Sequence, residues 1–304
     1  MSVSQQEPEV DVSVVLAVFN EKTHVRQEIE RIRNALEGSP YSFEILVVDD
    51  GSTDGTAEEL RLMDGIRLIE FPQNRGSGTA RKAGTQAARG RVVAWSDVDM
   101  TYPNEDIPRL VKEMDGFDQV IGARTSEQGT SKFLRVPAKW FIRKLAEYLV
   151  ESRIPDLNSG LRVFRRDVAL QYLHLLPKGF SCTSTMTMTF LANGYSVKYA
   201  AIDYSPRAGR SKFHWWTDTK RYLMQVIRMV LSYNPLRFFL PVATTLLAIG
   251  IGKLIYDVVT KNFHLATNTL LIFFAAFQMF AIGLLADLVV RLNKRPDEVG
   301  SASL

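Results

Sequence analysis

Apolar and polar residues alternate in blocks along the chain as far as Arg124. Short apolar runs bounded by polar residues predict strands that are buried on both faces. These runs are residues 13–19, 43–48, 66–71, 92–96 and 119–122. Segments with helical spacing of apolar residues separate them, at 23–37, 55–63, 80–88 and 106–114. Regular alternation of strands and helices with short joints predicts an α/β domain whose parallel sheet is covered on both faces.

The regular alternation ends after Arg124. Residues 131–153 form a basic amphipathic stretch, in which aromatic side chains stand among lysines and arginines. A polar loop beginning at Asp156 then leads into a further strand near residues 162–164. Residues 168–176 and 184–192 have helical patterns, and residues 197–202 predict a last strand.

Two long apolar segments follow, at residues 238–259 and 268–290. Each has roughly 20 residues, which is enough to span a bilayer core of about 30 Å. An aromatic, basic segment at 213–233 precedes them and is typical of a helix in the membrane interface. The alternative is a pair of buried helices in a soluble protein, and the length and aromatic flanks of the segments argue against it.

Lysines and arginines flank these two segments, whereas the linker between them holds Lys261 alone. The flanking cations are Lys220, Arg221, Arg228, Arg237, Arg291, Lys294 and Arg295. By the positive-inside rule, both ends of the hairpin are cytoplasmic. Residues 1–10 do not resemble a signal peptide and predict a disordered tail. Because Cys182 is the one cysteine, an intramolecular disulfide is excluded, as expected in a reducing compartment.

Acidic side chains follow several of the predicted strands. Asp97 and Asp99 end the fourth run, Asp49 and Asp50 end the second, and Glu21 follows the first. The carboxyl ends of parallel strands share one edge of a sheet, where open α/β sheets bind ligands, so these carboxylates should converge on one crevice. An isolated Asp-x-Asp is more often a pair of solvated turn residues, but the convergence favours a divalent cation site.

The turn Gly76-Ser77-Gly78 stands at the start of a predicted helix, where backbone N–H groups can approach a diphosphate closely. It is not the dinucleotide-binding fingerprint, because Arg81 replaces the third glycine and the turn follows the third strand. A nicotinamide cofactor is therefore not expected. Basic residues of the soluble part do not alternate with stacking aromatics, so no nucleic-acid partner is expected either.

Several motifs resemble family 2 glycosyltransferases of the GT-A fold in order and spacing. They are Val18-Phe19-Asn20-Glu21, Asp49-Asp50-Gly51-Ser52-Thr53-Asp54, Asn74-Arg75-Gly76-Ser77-Gly78 and Ser96-Asp97-Val98-Asp99. Downstream motifs resemble the polyprenyl-phosphate hexosyltransferase branch, which includes dolichol-phosphate mannose synthases and bactoprenol glucosyltransferases. These are Asp156-x-x-Ser159-Gly160-x-Arg162, Gly179-Phe180-Ser181 and Arg207-x-Gly209-Arg210-Ser211-Lys212. The resemblance covers about residues 11–240, and the two-span tail is similar to that of the bacterial members.

The resemblance implies a domain organisation. A GT-A domain with a Rossmann-like, mostly parallel sheet would occupy residues 11–205. Juxtamembrane amphipathic helices would follow at 206–236, two transmembrane helices at 237–292 and a cytoplasmic tail at 293–304. Glycines in the two spans, Gly250, Gly252 and Gly283, leave room for helix packing between protomers, so a homo-oligomer is one possibility.

The resemblance also implies an activity. The enzyme would transfer a single hexose, with inversion, from a nucleotide diphosphate sugar of the GDP-mannose or UDP-glucose type to a dolichyl or undecaprenyl phosphate. It would be an integral protein of the plasma membrane, or of the endoplasmic reticulum membrane in a eukaryote, with its catalytic domain in the cytoplasm. A processive polysaccharide synthase would need more spans and a Gln-x-x-Arg-Trp motif, and neither is found in the sequence. A catalytically silent scaffold is disfavoured by Asp97, Asp99, Arg162 and Arg207 together.

For the donor, the resemblance implies that Asp97 and Asp99 bind Mg²⁺ or Mn²⁺, with Asp99 in direct contact. The implied nucleotide-sugar site comprises Ala17, Phe19, Glu21, Asp49, Asp50, Gly76 and Asp97. Family members often carry a glutamine as a further metal ligand two residues after the second aspartate. This chain has Thr101 there, which leaves that position to water.

For the acceptor, the argument starts from charge. A lipid phosphate with a second pKa near 6 is largely dianionic at neutral pH and can attack without a general base. It needs cations to place it, and Arg124, Arg135, Arg207 and Lys212 supply them. Arg124 and Arg207 resemble the family's phosphate-binding positions and join the two aspartates as implied catalytic residues. The stretch around Arg135 is equally well explained as a basic helix on anionic lipids.

Overall fold

The computed structural model describes residues 10–125, 144, 147–148, 151–179, 181–205, 224, 227, 231, 234–260 and 266–293. The chain forms two compact units, Met1–Tyr222 and Leu223–Leu304. Within the described residues the first unit contains a mixed sheet with helices, and the second contains two long helices. Both features agree with the predicted order of elements.

The first unit begins with alternating strands and helices. The elements are β1 (Val10–Val18), α1 (Val25–Glu37), β2 (Phe43–Asp49), α2 (Thr56–Arg61), β3 (Arg67–Glu70), α3 (Ser77–Ala87), β4 (Gly90–Ser96), a 3₁₀ turn (Asn104–Asp106), α4 (Ile107–Lys112) and β5 (Gln119–Arg124). After the long excursion come β6 (Arg162–Arg165), α5 (Arg166–Tyr172), a second 3₁₀ turn (Leu173–Leu175), α6 (Cys182–Ala192) and β7 (Val197–Ile202).

The strands form one seven-stranded sheet in the order β3-β2-β1-β4-β6-β5-β7. Neighbouring strands are parallel except for β6, which runs antiparallel to both β4 and β5. The predicted, mostly parallel α/β sheet is thus confirmed. Because β4 and β5 are each antiparallel to β6, they point in the same direction, and their carboxyl ends reach the same edge of the sheet.

The sheet is buried on both faces, as its apolar runs predicted. In β1, Val12, Val14 and Leu16 pack into one core cluster, which includes the apolar face of α1. Val15 points the other way, into a second cluster with Trp95 and α5. Fully burying one such side chain stabilises the fold by about 1.5–3 kcal/mol, so both layers of helices contribute to holding the strands in place.

The second unit is a hairpin of α7 (Leu236–Thr260) and α8 (Thr267–Asn293). Both helices are long and apolar enough to cross a membrane, with mean hydropathies of 1.9 and 2.2, and most of their apolar surface is exposed. They pack closely against each other at Gly250 and Gly283: a Cβ on Gly283 would lie 2.8 Å from Cβ of Phe239. These glycines therefore serve packing within the hairpin, and packing between protomers stays a prediction.

Among the described residues, a polar contact joins the two helices of the hairpin. Asp257 of α7 is buried and accepts a hydrogen bond from Oγ1 of Thr269 in α8. Lys253, one turn earlier, has its Nζ 3.5 Å from Oδ1 of Asp257. Because a carboxylate in an apolar medium needs partners, this group of three side chains favours one pairing of the two helices.

Candidate active site

The predicted convergence of carboxylates is present at one edge of the sheet. β1 lies between β2 and β4, all three parallel, with Val18 beside Asp49 and Leu16 beside Ser96. Residues that follow these strands therefore emerge side by side, and this places Asp49, Asp50, Asp97 and Asp99 at one edge. Arg124 ends β5, whose carboxyl end reaches the same edge.

The loop after β1 is joined to the loop after β2 by hydrogen bonds. Asn20 has a positive φ of 56° and accepts a bond from the N–H of Thr53 at 2.8 Å. The N–H of Glu21 donates to Oγ1 of Thr56 at 3.1 Å. These bonds fix the backbone around Phe19 and Glu21, which are predicted to bind the nucleotide sugar. Ala17, predicted for the same site, lies within β1 and beside Val48.

Asp49 and Asp50 both hold turns. The N–H of Ser52 donates to the Asp49 carboxylate, closing the turn after β2. The two oxygens of Asp50 accept the N–H groups of Arg75 and Gly76, at 2.7 and 2.8 Å. Burial raises the pKa of Asp50 above its ordinary value, and the charge of Asp49 adds to this effect, against the two N–H donors. The structure thus gives Asp50 a positioning role at the glycine turn; its role in donor binding stays a prediction.

The glycine turn at the start of α3 packs against protein backbone. The N–H of Gly78 donates to the carbonyl of Lys178 at 2.8 Å, and that of Thr79 reaches the same oxygen at 3.3 Å. A Cβ on Gly78 would lie 2.1 Å from the carbonyl oxygen of Pro177, and one on Gly76 would lie 2.4 Å from that of Lys178. Close packing therefore accounts for both glycines, and contact of Gly76 with a diphosphate stays a prediction.

The Asp97 and Asp99 carboxylates are held in different ways. Oδ1 of Asp97 lies 2.6 Å from Nη2 of Arg81, whose guanidinium is buried. Oδ1 of Asp99 accepts the hydroxyl of Thr101 at 2.5 Å. Thr101, at the position where the resemblance implies a glutamine, therefore supports Asp99 by a local hydrogen bond.

Asn104 anchors the turn that follows these aspartates. Its side-chain amide donates to the main-chain carbonyl of Asp97 at 3.1 Å and to the buried carboxylate of Glu28 on α1. Its oxygen accepts the hydroxyl of Ser96. Asp97 is thus tied through its main chain to α1 and through its side chain to α3.

The carboxylate oxygens of Asp97 and Asp99 fit a divalent cation that is shared with a substrate. In the described part of the chain, no three or more His, Cys, Asp or Glu side chains gather as a metal site. Asp97 and Asp99 offer hard carboxylate oxygens at a strand end, without a full protein cage. Mg²⁺ is commonly bound by one or two carboxylates together with substrate phosphates, so this incomplete set suits a metal that arrives with a diphosphate.

Arg124, predicted to bind the acceptor phosphate, is bound by Asp156 through two hydrogen bonds, Nε to Oδ2 at 2.7 Å and Nη2 to Oδ1 at 2.9 Å. Its guanidinium also lies over the ring of Tyr204, 5.3 Å from the centroid. Burial acts against the charge, but the hydrogen bonds to Asp156 keep the pKa of Arg124 above its ordinary value. The other predicted phosphate-binding residues, Arg135, Arg207 and Lys212, lie outside the described residues.

Tyr102 connects the surroundings of Asp97 with those of Arg124. Its ring meets that of Tyr204 edge-on, with centroids 5.1 Å apart, and its hydroxyl accepts the N–H of Gly160 at 2.7 Å. A Cβ on Gly160 would in turn lie 2.6 Å from Oδ2 of Asp97. A continuous set of contacts thus runs from Asp97 to the residues around Arg124.

Arg162, from the same motif as Gly160, is fully buried and joins neighbouring segments of the chain by hydrogen bonds. Its guanidinium donates to the carbonyls of Ser159 and Thr183 and to Oγ1 of Thr187. Burial lowers the pKa of Arg162 to about 10, and the nearby charge of Arg81 acts in the same direction. Its position away from solvent indicates a structural role.

Arg81, Asn104 and Asp156 are site residues that the sequence motifs do not predict. In the sequence, Arg81 stands out only because it breaks a glycine fingerprint. One available signal was its position on α3, where it is an arginine among the small residues Ala80 and Gly84 that face the sheet. Such a charge on a buried helix face requires a partner, and the carboxylates at the nearby strand ends were candidates.

Two family descriptions match the chain. That of glycosyl transferase family 2 covers residues 13–173, and that of the GtrB C-terminal hairpin covers residues 234–292. The first includes the sheet edge with its aspartates, and the second coincides with α7 and α8.

Relatives with printed activities are similar over most of the chain. A dodecaprenyl-phosphate galacturonate synthase from Rhizobium johnstonii is 25% identical, and the match covers 95% of this chain and 90% of the relative. An undecaprenyl-phosphate 4-deoxy-4-formamido-L-arabinose transferase from Pseudomonas fluorescens is 30% identical, covering 79% of this chain and 70% of the relative.

Among solved structures, glucosyl-3-phosphoglycerate synthase from Mycobacterium tuberculosis in complex with Mn²⁺, uridine diphosphate and phosphoglyceric acid is similar, with a TM-score of 0.58. It is 21% identical, and the match covers 74% of this chain and 78% of that structure. This likeness shows the GT-A fold.

Proposed function

The chain belongs to glycosyl transferase family 2, and on that premise we propose that it transfers one sugar from a nucleotide diphosphate donor to a polyprenyl phosphate. The observation that carries the proposal is the sheet edge, where Asp97 and Asp99 follow β4 and a continuous set of contacts joins Asp97 to the surroundings of Arg124 at the end of β5. Carboxylates that suit a metal–diphosphate and a cation that suits a phosphate thus belong to one site. The apolar hairpin and the polyprenyl-phosphate activities of the relatives support a lipid acceptor.

The chain's residues divide between donor and acceptor. Asp99, with Asp97 beside it, would hold Mg²⁺ or Mn²⁺ against the donor diphosphate. A cation bound there neutralises charge that builds on the leaving diphosphate. Arg124, with Arg207, Lys212 and Arg135 by resemblance, would orient the acceptor phosphate. A dianionic phosphate needs no general base, so these cations serve placement and charge balance, and direct attack inverts the anomeric centre.

We further propose that the donor sugar is a hexose or a close derivative and that the reaction occurs at the cytoplasmic face. The cations at both ends of the hairpin support this orientation. The relatives act with galacturonate and with a formamido-arabinose, so both sugars belong beside mannose and glucose in any donor panel.

The proposal is tested with the full-length protein in lipid nanodiscs. Radiolabelled GDP-mannose, UDP-glucose, UDP-galacturonate and UDP-4-deoxy-4-formamido-L-arabinose are each offered with undecaprenyl phosphate, and the lipid product is counted. We expect one donor to label the lipid, chelator to stop the reaction, and Mg²⁺ or Mn²⁺ to restore it. Asp99→Ala should lower the rate by about 100-fold or more, because removal of a group that stabilises transition-state charge has effects of this size.

The control is Asp115→Ala, which removes an exposed aspartate in the turn after α4. It should stay within about twofold of the wild-type rate, as surface substitutions usually do. A wild-type rate for Asp99→Ala, or full turnover in excess chelator, would overturn the metal assignment. Failure of every donor to label polyprenyl phosphate, while another phosphate or sugar acceptor is labelled, would overturn the acceptor assignment.

A further inference from the structure

Arg81 is a buried cation directed at the candidate site from the side of α3. Its side chain is only 4% exposed, although arginine is rarely buried in a protein core. The guanidinium lies over the ring of Trp95, 5.5 Å from the centroid, and its Nη1 is 3.5 Å from Sγ of Cys182. Its charge is balanced by Asp97, since Nη2 lies 2.6 Å from Oδ1 of that carboxylate.

The Asp97 side chain is 36% exposed, and Gly160 and Asn104 restrict it further on the side that faces the protein. Its Oδ2 borders the backbone at Gly160, where a Cβ would come within 2.6 Å. Its main-chain carbonyl accepts the side-chain amide of Asn104 at 3.1 Å. With one oxygen bound to Arg81 and the other against Gly160, the carboxylate has little freedom to rotate.

We propose that Arg81 is the positioning residue of Asp97: it fixes the orientation of that carboxylate and offsets its charge, so that Asp97 and Asp99 can stand together at the donor site. This inference rests on the proposed function. Two carboxylates one residue apart repel each other before a cation arrives, and a buried guanidinium on one of them removes part of that repulsion. Positioning matters because a displacement of about 1 Å at a reacting group can cost 100-fold in rate.

Contacts at the start of α3 hold Arg81 within hydrogen-bonding distance of Asp97. Asp50 binds the N–H groups of Arg75 and Gly76, and the carbonyl of Lys178 binds that of Gly78, so the first turn of the helix is fixed from two sides. Further along, a Cβ on Gly84 would lie 2.3 Å from Cγ1 of Val15. The helix therefore lies close on the sheet, within reach of the strand end that carries Asp97. The glycine motif thus serves Asp97 indirectly, through α3.

A double-mutant cycle tests whether Arg81 acts through Asp97. Arg81→Met and Asp97→Asn are made singly and together in the full-length protein. Two quantities are measured: transfer kinetics for donor and lipid, and Mn²⁺ affinity by electron paramagnetic resonance with UDP or GDP present. Arg81→Met keeps an unbranched apolar chain beside Trp95 but removes the charge. Lys82→Met is the matched control, because it removes the neighbouring cation of α3, which donates to the Leu176 carbonyl and not to Asp97.

We expect Arg81→Met to lower kcat by about 100-fold and to change the affinity for Mn²⁺ with nucleotide by about tenfold, with little change in the KM for the lipid. In the Asp97→Asn background the same substitution should add less than about twofold to either effect, because residues that act through one contact are not additive. Arg81→Lys should recover part of the rate, since it restores the charge but not the planar fork. Lys82→Met should stay within about threefold of wild type.

Additive effects in the cycle, or a wild-type rate for Arg81→Met, would overturn the proposal. If Arg81→Met does not fold, as judged by near-ultraviolet circular dichroism, the cycle is run with Arg81→Lys, and additivity is judged in the same way. Failure of the proposed function has a different signature: the wild-type protein would then transfer sugar from none of the four donors to polyprenyl phosphate. Failure of the metal assignment alone would leave Asp97→Asn and Asp99→Ala at the wild-type rate. Inactive aspartate variants with a fully active Arg81→Met would reject the role of Arg81 alone.

Discussion

The ion pair between Arg124 and Asp156 permits a prediction about single residues. Asp156→Asn leaves a mostly buried guanidinium without a carboxylate, and breaking such a pair costs about 3 kcal/mol, the lower end of the usual range, because Arg124 keeps some contact with solvent. We therefore expect a clear fall in the thermal midpoint of the first unit at pH 7. The acceptor KM should rise as well, because Asp156 and Tyr204 together set the direction of Arg124.

The stability difference should depend on pH. Burial raises the pKa of Asp156, but the hydrogen bonds and charge of Arg124 outweigh it, so its folded pKa lies below the ordinary value. A carboxyl whose pKa falls on folding stabilises the protein above its unfolded pKa, near 3.9, and loses that contribution as the pH falls through the folded value. Wild type and Asp156→Asn should therefore converge in stability at pH values below about 4.

Asp167→Asn is the control for this prediction. Asp167 pairs with Arg165, and both side chains are about half exposed. An exposed pair contributes about 0–1 kcal/mol, so this variant should unfold close to wild type at pH 7. Equal losses for the two variants, or a difference at pH 7 that persists unchanged at pH 3, would contradict the assigned role of Asp156.

At the scale of residues, the sequence predicted groups that follow a strand in a recognisable spacing. Asp97, Asp99, Asp49 and Asp50 all lie at the edge where a parallel sheet must put them. Arg81 could not be placed in the same way. Its contact with Asp97 joins two elements and depends on how closely α3 lies on the sheet, which no local pattern encodes.

At the scale of elements, the packing of the first turn of α3 predicts a change in stability opposite in sign to the change that helix propensity predicts. Alanine normally stabilises a helical position by about 1 kcal/mol relative to glycine. At Gly78, however, a Cβ would meet the backbone of Pro177 at 2.1 Å and of Lys178 at 2.8 Å, and backbone cannot move aside cheaply. Gly78→Ala should therefore destabilise by about 1–3 kcal/mol, as overpacked sites do, and should lower activity by displacing Arg81.

Gly38→Ala is the matched control, since Gly38 has an ordinary φ of −78° at the end of α1 and a Cβ there would have only ordinary contacts at 3.6 Å and beyond. It should unfold within about 0.5 kcal/mol of wild type. Both variants are compared by thermal unfolding and by transfer rate. A neutral or stabilising Gly78→Ala would show that the loop of Pro177 and Lys178 does not restrain α3.

Most elements were predictable from periodicity, but one strand's place in the sheet was not. The apolar runs gave β1 to β5 to within a few residues, and helical spacing gave α1 to α4. A strand near Arg162 was also predicted, yet its insertion between β4 and β5, antiparallel to both, was not. The pairing of a short strand after a long excursion is decided by which sheet position is open, and this is a property of the assembled sheet.

At the scale of the whole molecule, the surfaces of the two units are suited to different solvents. The first buries its apolar side chains in two clusters around the sheet, whereas the helices of the second expose theirs. Such helices need a bilayer or a partner to cover them, and the matching hairpin family agrees with the former. The charges that flank such a hairpin determine which side of the membrane each of its ends faces.

The distribution of charge predicts that orientation. Lysines and arginines flank the hairpin, and the linker contains Lys261 alone, so the linker should face away from the cytoplasm. Single cysteines placed in the linker, Asn262→Cys, and in the tail, Ser301→Cys, report the two sides. The one native cysteine, Cys182, is buried and should give little background.

In intact cells, a membrane-impermeant maleimide should label the Asn262→Cys protein and leave the Ser301→Cys protein unlabelled. Both should react after the membrane is permeabilised, which controls for the intrinsic reactivity of each position. The reverse pattern would place both flanks of the hairpin outside the cytoplasm, away from the nucleotide sugars made there. Two helices that both span the membrane leave the residues before α7 and after α8 on the same side, so that result would count against the proposed donor as well as the orientation.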